Sequence, residues 1–405
     1  MTSSLVEALA KPTPPAIGRP ESKNLTNQIE VKGDVVEATV NRPADSTSAP
    51  EGEARALLAK HDLDPAQFVV TGFRSSEWTM MNGDLGTSTR FVFARTGSTA
   101  AGQRPPIDEL VKSVKKHKGK AKREQGDHGF LVLLGDTQFG KIDGDGADGT
   151  FNRAVTGLDQ AADLLAWHRR RFDIGHVHIA WLGDHVEGFV SQGGANVWRT
   201  QLTLNEQIRL SRRLMQHALE VFGPEAEKVT MAAVPGNHGE TTRFSGKGVT
   251  RYDDSHDTES LIALSEAAAM NPGAYGHVEF YVPHTDEMTV VLDVAGTTIG
   301  HAHGHQWRPN KALEWWGGQD FGGGSMRGTD VLVAGHLHHQ HVEEQGWVKT
   351  LPSGEQVKAV RTFIQTPALE SESTWWRHAK GVTGSPGLLV GVTKDGLVRG
   401  LEAVR

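Results

Sequence analysis

The chain has 405 residues, no cysteine and a formal net charge of −7 at neutral pH. That length accommodates one large domain and a smaller one, and the missing cysteine excludes disulfides and thiolate metal sites, so any metal must be held by His and oxygen donors. The acidic balance excludes a general basic coat for nucleic acid; no run approaches the roughly 18 apolar residues of a membrane span, and the N-terminus lacks the apolar core of a secretory signal, which together fit a cytoplasmic protein with no membrane partner.

Residues 1–50 are rich in Pro, Ser, Thr and Lys without periodicity, and are expected to be a disordered leader. From residue 51 the pattern changes. GEARALLAKHDL predicts a short helix broken by Asp64-Pro65, and FVVTGFRSSEWTM and STRFVFART predict strands around a Met81-Asn82-Gly83-Asp84 turn, making 51–97 a small α+β module. Residues 98–127 read as a basic linker, with seven Lys and Arg in VKSVKKHKGKAKRE. Such a run is a solvated stretch or a local contact for nucleic acid.

Over 128–405 strands and helices alternate. FLVLL, a helix around TGLDQAADLLAWHRRR, VHIAWL, a helix around LNEQIRLSRRLMQHALEVF, VTMAAV and a helix near DTESLIALSEAAAM come in turn. The second half is β-rich: HVEFYV, TVVLDVAG, TTIGHAHG and DVLVAG, then strands near 341–349, 357–366 and 387–400. Alternation followed by strands predicts an α/β protein with layered sheets that carry a site on their strand ends.

Five short segments put metal-binding side chains in loops after hydrophobic runs: Gly135-Asp136-Thr137-Gln138, Gly183-Asp184-His185-Val186-Glu187, Gly236-Asn237-His238, His303-Gly304-His305 and Gly335-His336-Leu337-His338. Asp136 and Gln138 can face one cation. Asp184 has two oxygens with which to bridge two. Asn237 offers a neutral oxygen, and His303, His336 and His338 offer imidazole nitrogens. Such a mixed set suits Mn, Fe, Zn or Ni better than Ca. Two cations about 3.5–4 Å apart can clamp a phosphate and acidify a water between them. His238 is left to contact the phosphate or protonate the leaving oxygen.

In this order the segments resemble the calcineurin-like metallophosphoesterase superfamily over about residues 129–370. The resemblance implies a layered α/β/β/α sandwich and two divalent ions, Mn first among them. One ion would be held by Asp136, Gln138, Asp184 and His338, the other by Asp184, Asn237, His303 and His336, with His238 as the helper histidine. Three departures stand out. Gln138 replaces the usual His, which weakens the first site or biases it to a harder ion; Glu187 replaces Asp; and Gly239 follows Asn237-His238 where an acid normally orients the histidine, leaving Glu240 to reach back. His301, His303 and His305 share a face by strand alternation, so the choice of His303 rests on the resemblance.

The GDTQFGKIDGDG opening and β-rich tail are most similar to the SbcD-type DNA repair nucleases, including versions encoded by phages of actinobacteria. That resemblance implies DNA as substrate, a separate ATPase partner chain, a homodimer, and a bacterial or phage-infected host cytoplasm. Candidate DNA contacts are Trp307, Arg308 and Trp315, where rings interleave with cations, together with Arg243, Lys115 and Lys116. The alternatives are a phosphodiesterase for cyclic nucleotides or other small molecules, and a weakly metallated binding protein.

Overall fold

The computed structural model describes residues 27–32, 35–43, 46, 48–79, 85–95, 116, 123–191, 194, 196, 199–244, 247–248, 250–350, 353–374, 377–378, 381 and 384–405. Two compact units divide the chain, Met1–Pro106 and Ile107–Arg405.

In the first unit, strands β1 (Gln28–Lys32), β2 (Val35–Pro43), β3 (Phe68–Thr79) and β4 (Leu85–Arg95) form an antiparallel sheet of order β1-β2-β4-β3. Helix α1 (Pro50–Lys60) packs on it. Val36, Ala38 and Val40 recur at the two-residue strand period and bury against Ala54 and Leu58, one helical turn apart. Residues 28–32 and 35–43 are thus strands and not the unstructured leader that the composition of 1–50 suggests. Averaging over that Pro- and Ser-rich window hides the alternating β-branched residues of QIEVKGDVVEATV.

The second unit is α/β, built on two sheets. The first has six strands in the order β10-β7-β6-β5-β16-β17: β5 (His128–Leu134), β6 (Ile174–Trp181), β7 (Lys228–Ala233) and β10 (Val278–Tyr281) run parallel, while β16 (Leu388–Lys394) and β17 (Leu397–Val404) are antiparallel additions. The second has five strands in the order β11-β12-β13-β15-β14: β12 (Thr297–His301), β13 (Val331–Ala334) and β15 (Gln356–Gln365) run parallel, edged by β11 (Val290–Val294) and β14 (His341–Thr350). Short strands β8 (Arg243–Phe244) and β9 (Lys247–Gly248) pair separately.

Strand alternation sorts the core into layers. Phe130, Val132 and Leu134 face helices α2 (Gly146–His168), α3 (Leu204–Phe222) and α4 (His256–Ala269), in a core that also takes in the short α5 (Pro272–Tyr275). Leu131 and Leu133 instead meet Ile299, Val331, Val333 and Ile364 of the second sheet. On that sheet's far side Leu332, Ala334 and Phe363 pack with Trp316 of α6 (Ala312–Gly322), completing a helix–sheet–sheet–helix sandwich. Helix α3 covers the predicted residues, opened by the Thr203–Glu206 capping box. Helix α2 begins at Gly146, ten residues before its apolar stripe becomes obvious. No helix among the described residues is long and apolar enough to cross a membrane.

Between the sheets lies a closed polar chain. The Val290 carbonyl accepts from His301 Nδ1 at 2.9 Å, which fixes the tautomer, so His301 Nε2 accepts from His178 Nε2 at 2.8 Å. His178 Nδ1 in turn accepts the Thr230 hydroxyl at 2.8 Å, and Thr230 Oγ1 accepts from His176 Nε2 at 2.9 Å. Burial holds His178 well below the ordinary histidine range and lowers His176 and His301 to about 4. These rings are neutral in the fold and gain protons on unfolding, so stability is present above the unfolded value of 6.5 and is lost as pH falls toward 4. Between about pH 7 and 5 the loss should be about 2 kcal/mol for His176 and again for His301, read by urea unfolding with chelator present. His301→Gln should flatten that slope; an unchanged slope would remove His301 from the account.

Candidate metal centre

Six of the parallel strands, β5, β6, β7, β12, β13 and β15, end together, and their loops zip onto one another. Asp136 N–H donates to Gly183 O (3.0 Å), Gln138 N–H to Asp184 O (2.9 Å), and Gly335 N–H to His303 O (2.9 Å). Asp136, Gln138, Asp184, His336 and His338 all adopt positive φ, from 38° to 72°, a region costly for non-glycine residues. Five such residues at one place mark a site held against backbone preference. Two motif glycines are there for close approach: a Cβ on Gly236 would lie 2.0 Å from Asp184 Oδ1, and one on Gly335 would lie 2.5 Å from Asp136 Oδ2.

Asp184, His303 and His336 present ligating atoms within 4.8 Å of one another. His303 Nδ1 donates to Leu182 O at 2.6 Å, which leaves Nε2 as the ligating atom, 3.0 Å from Asp184 Oδ2 and 3.2 Å from His336 Nδ1. Asn237 Oδ1 is buried without a hydrogen-bond partner. This orphaned oxygen, on a residue lining the same cleft as Asp184 and His336, fits a divalent ion. Despite burial, Asp184 and Asp136 raise His303 to about 9, whereas burial and the neighbouring His303 lower His336 to about 4. A proton on His303 therefore occupies the position in the field that a cation would take.

The other half is built differently. Asp136 is fully buried, with Oδ1 3.2 Å from His338 Nε2. His338 Nδ1 lies 2.8 Å from Glu370 Oε1, and despite burial Asp136 and Glu370 raise His338 to about 10. Glu370 follows β15 and is 6% exposed. Its other oxygen, Oε2, pairs with Lys141 Nζ at 2.5 Å. Lys141 Nζ also donates to Gln138 Oε1 at 3.0 Å.

His238 is oriented by Glu187, through its carbonyl at 3.0 Å and carboxylate at 3.4 Å from Nδ1, and by Ser191 Oγ at 3.2 Å. Glu187, not Glu240, thus stands where the missing acid after Asn237-His238 would act. Against burial, Asp184 and Glu187 raise His238 to about 9, with Nε2 4.0 Å from Asp184 Oδ2. Asp257, in the first turn of α4 and fully buried, accepts the backbone N–H groups of Asp184 (3.0 Å), His185 (2.9 Å) and Gly236 (2.9 Å). It ties the β6 and β7 loops together. Sequence reasoning missed Asp257, Glu370 and Lys141: Asp257 looks like an ordinary helix-start acid, and the one signal for Glu370 is its place just after a strand end.

A cleft of about 910 Å³ opens over Gln138, Lys141, Asp184, Asn237, His238 and His338. The residues expected to touch DNA do not gather on it. Trp307 is 8% exposed and packs in the α6 core, its ring 4.7 Å from Trp315, which corrects its assignment as a base-stacking residue. Trp315 is half-buried and lines a second cleft with Tyr252 and His305. Arg308 and Lys116 are exposed, while Lys115 and the Arg243 side chain lie outside the described residues. His301 belongs to the core between the sheets, because β12 ends there and the alternation with His303 and His305 stops.

No family model and no curated sequence matches the chain. Among solved structures it is similar to a predicted phosphoesterase from Streptococcus pneumoniae TIGR4 at 10% identity, over 66% of this chain and 84% of that one, with a TM-score of 0.25. The phosphopantetheinyl hydrolase of Mycobacterium tuberculosis aligns at 12% identity over 63% of this chain and 94% of that one, TM-score 0.24. A formyltetrahydrofolate deformylase from Burkholderia mallei aligns at 13% identity over 49% and 58%, TM-score 0.11. Likenesses this low place the chain in no family, so its chemistry is argued from the site alone.

Ligation requires His303 without its proton, so metal affinity should weaken as pH falls below about 9. Calorimetry at about pH 7.5 in buffers of different ionisation enthalpy should show about one proton released per ion. Asp257→Asn keeps one acceptor oxygen but turns an amide donor toward at least one of the three backbone donors. It should cost at least about 2 kcal/mol in urea unfolding and weaken manganese binding about 10–100-fold; unchanged manganese affinity would show that the loops are held by other contacts.

Proposed function

We infer that the chain is a metal-dependent hydrolase of phosphate esters. The observation that carries this reading is the convergence of Asp136, Asp184, Asn237, His303, His336, His338 and His238 at the carboxyl ends of two sheets, around one open cleft. When bound, a divalent ion supplies Lewis acidity toward phosphoryl oxygens and lowers the pKa of water. Asp184, Asn237, His303 and His336 would hold it. Glu187 aims the His238 ring, and the raised pKa of about 9 keeps that ring protonated at neutral pH, ready to give a proton from Nε2 to the leaving oxygen. Glu370 fixes the tautomer of His338 by taking Nδ1–H.

The substrate proposed from sequence is DNA, cut as a phosphodiester by an exo- or endonuclease. A small phosphodiester is the second reading, and a specific observation favours it: Trp307 is in the core, Trp315 lines the other cleft, and Lys141 and Arg199, both lining this cleft, are paired with Glu370 and Asp143. A track for a polymer needs a run of cations along the groove to neutralise successive phosphates.

Purified protein with manganese, tested on linear DNA, cyclic mononucleotides and an activated aryl phosphodiester, separates the readings. Cleavage of the aryl diester is expected; cleavage of DNA alongside it supports the nuclease, and cyclic nucleotides without DNA support the small-substrate enzyme. Asp184→Asn should abolish turnover and lower metal content without unfolding the chain. His238→Ala should keep metal and lose roughly 10²–10⁴-fold in rate. Near-native turnover by Asp184→Asn would end the metallohydrolase reading.

A further inference from the structure

We propose that the centre is a one-metal site in which the ammonium of Lys141 stands in for the second cation. This rests on the metallohydrolase reading and adds to it the number of ions and the role of Lys141.

The two halves of the site differ in what they have left to give a metal. Around Asp184, His303 and His336 three ligating atoms lie within 4.8 Å of one another; unpartnered buried oxygens occur in both halves, Asn237 Oδ1 in this one and Asp136 Oδ1 in the other. Around Asp136 the fourth donor is already taken. Gln138 replaces an imidazole with an amide whose only strong donor atom is Oε1, and that oxygen accepts from Lys141 Nζ at 3.0 Å. A cation ligated by Oε1 would share one neutral oxygen with an ammonium bonded to it. The ammonium is no passing surface charge: its side chain is 15% exposed and its second bond goes to buried Glu370 at 2.5 Å.

Charge reaches the same conclusion. Asp136 and Glu370 bring two carboxylates to this half, and the ammonium of Lys141 is already paired with one of them, so positive charge is supplied there without a second metal. Glu370 also divides its oxygens between Lys141 and His338, so the lysine is locked to the same acid that aims the histidine. An ammonium has three donors. One goes to Gln138 and the Glu370 carboxylate is ion-paired with the same group, which leaves a donor for a phosphoryl oxygen in the cleft that Lys141 lines. The glutamine and the lysine, three residues apart in one loop, thus form a single device: the amide gives up the stronger ligand, and the lysine supplies the lost positive charge.

The test is manganese uptake by the full chain after chelator stripping, followed by titration calorimetry and electron paramagnetic resonance, with no substrate present. Wild type should saturate at one ion per chain and give an uncoupled manganese spectrum. Lys141→Met frees the Gln138 oxygen and should tighten uptake of a second ion about 10–100-fold, the usual span for changing a group that supports a ligand. Gln138→His combined with Lys141→Met should reach two ions per chain with an exchange-coupled spectrum. Lys141→Arg, which keeps the charge, should remain at one ion and serves as a control for disturbed folding. Two ions of similar affinity in wild type, or one ion in every variant, would overturn the inference while leaving the hydrolase reading intact. No uptake by any form would instead overturn the hydrolase reading on which the inference stands.

Discussion

The carboxylate of Asp184 is buried, ionised and shared, and the rest of the centre is arranged to make that tolerable. Its Oδ1 accepts the His238 backbone N–H at 2.8 Å, while Oδ2 faces His303 Nε2 at 3.0 Å. A lone carboxylate in such a place would protonate or destabilise the fold. Here charge from His303 and His238 outweighs burial and holds Asp184 well below the ordinary range. The loop that carries it is tethered by Asp257, and its backbone sits at φ 53°. His303, His336 and the His238 backbone come to this charge from three different loops, which explains why strands of both sheets end at one place.

Much of this was legible in the sequence. FLVLL, VHIAWL, VTMAAV and DVLVA are strands because continuous apolar runs suit sheets covered on both faces, and the polar residues that follow each run mark the shared edge. What was not legible came from partners distant in sequence. Asp257 reaches back 73 residues to Asp184, and Glu370 meets Lys141 and His338 from the end of another strand. No local pattern distinguishes these acids from the solvated ones around them. The tryptophans failed in the opposite direction: a cluster of rings and cations around Trp307 reads as a stacking surface, yet the same residues are what a helix needs to cover the outer face of a sheet. Composition names the residue type and leaves the face undecided.

The asymmetry between the halves of the centre has the same origin. A one-letter change from imidazole to amide at Gln138 is visible in sequence as a departure from a pattern. Its meaning depends on Lys141, whose ammonium is on the amide oxygen. Read alone, Gln138 is a weaker ligand; read with its neighbour, it is an oxygen already taken by an ammonium.

The histidine–threonine chain between the sheets bears on the precision of the site more than on its chemistry. Asp184 hangs from one sheet and His303 from the other, so their 3.0 Å separation depends on how the two sheets are registered. Apolar faces alone slide at small cost, since one aliphatic contact resembles the next. A fully satisfied polar chain does not slide, because any offset leaves His178, His301 or Thr230 without its partner in a dry interface. The network thus works as a vernier: a displacement too small to disturb the packing is read at the strand ends as a misplaced ligand, and the core itself refuses it.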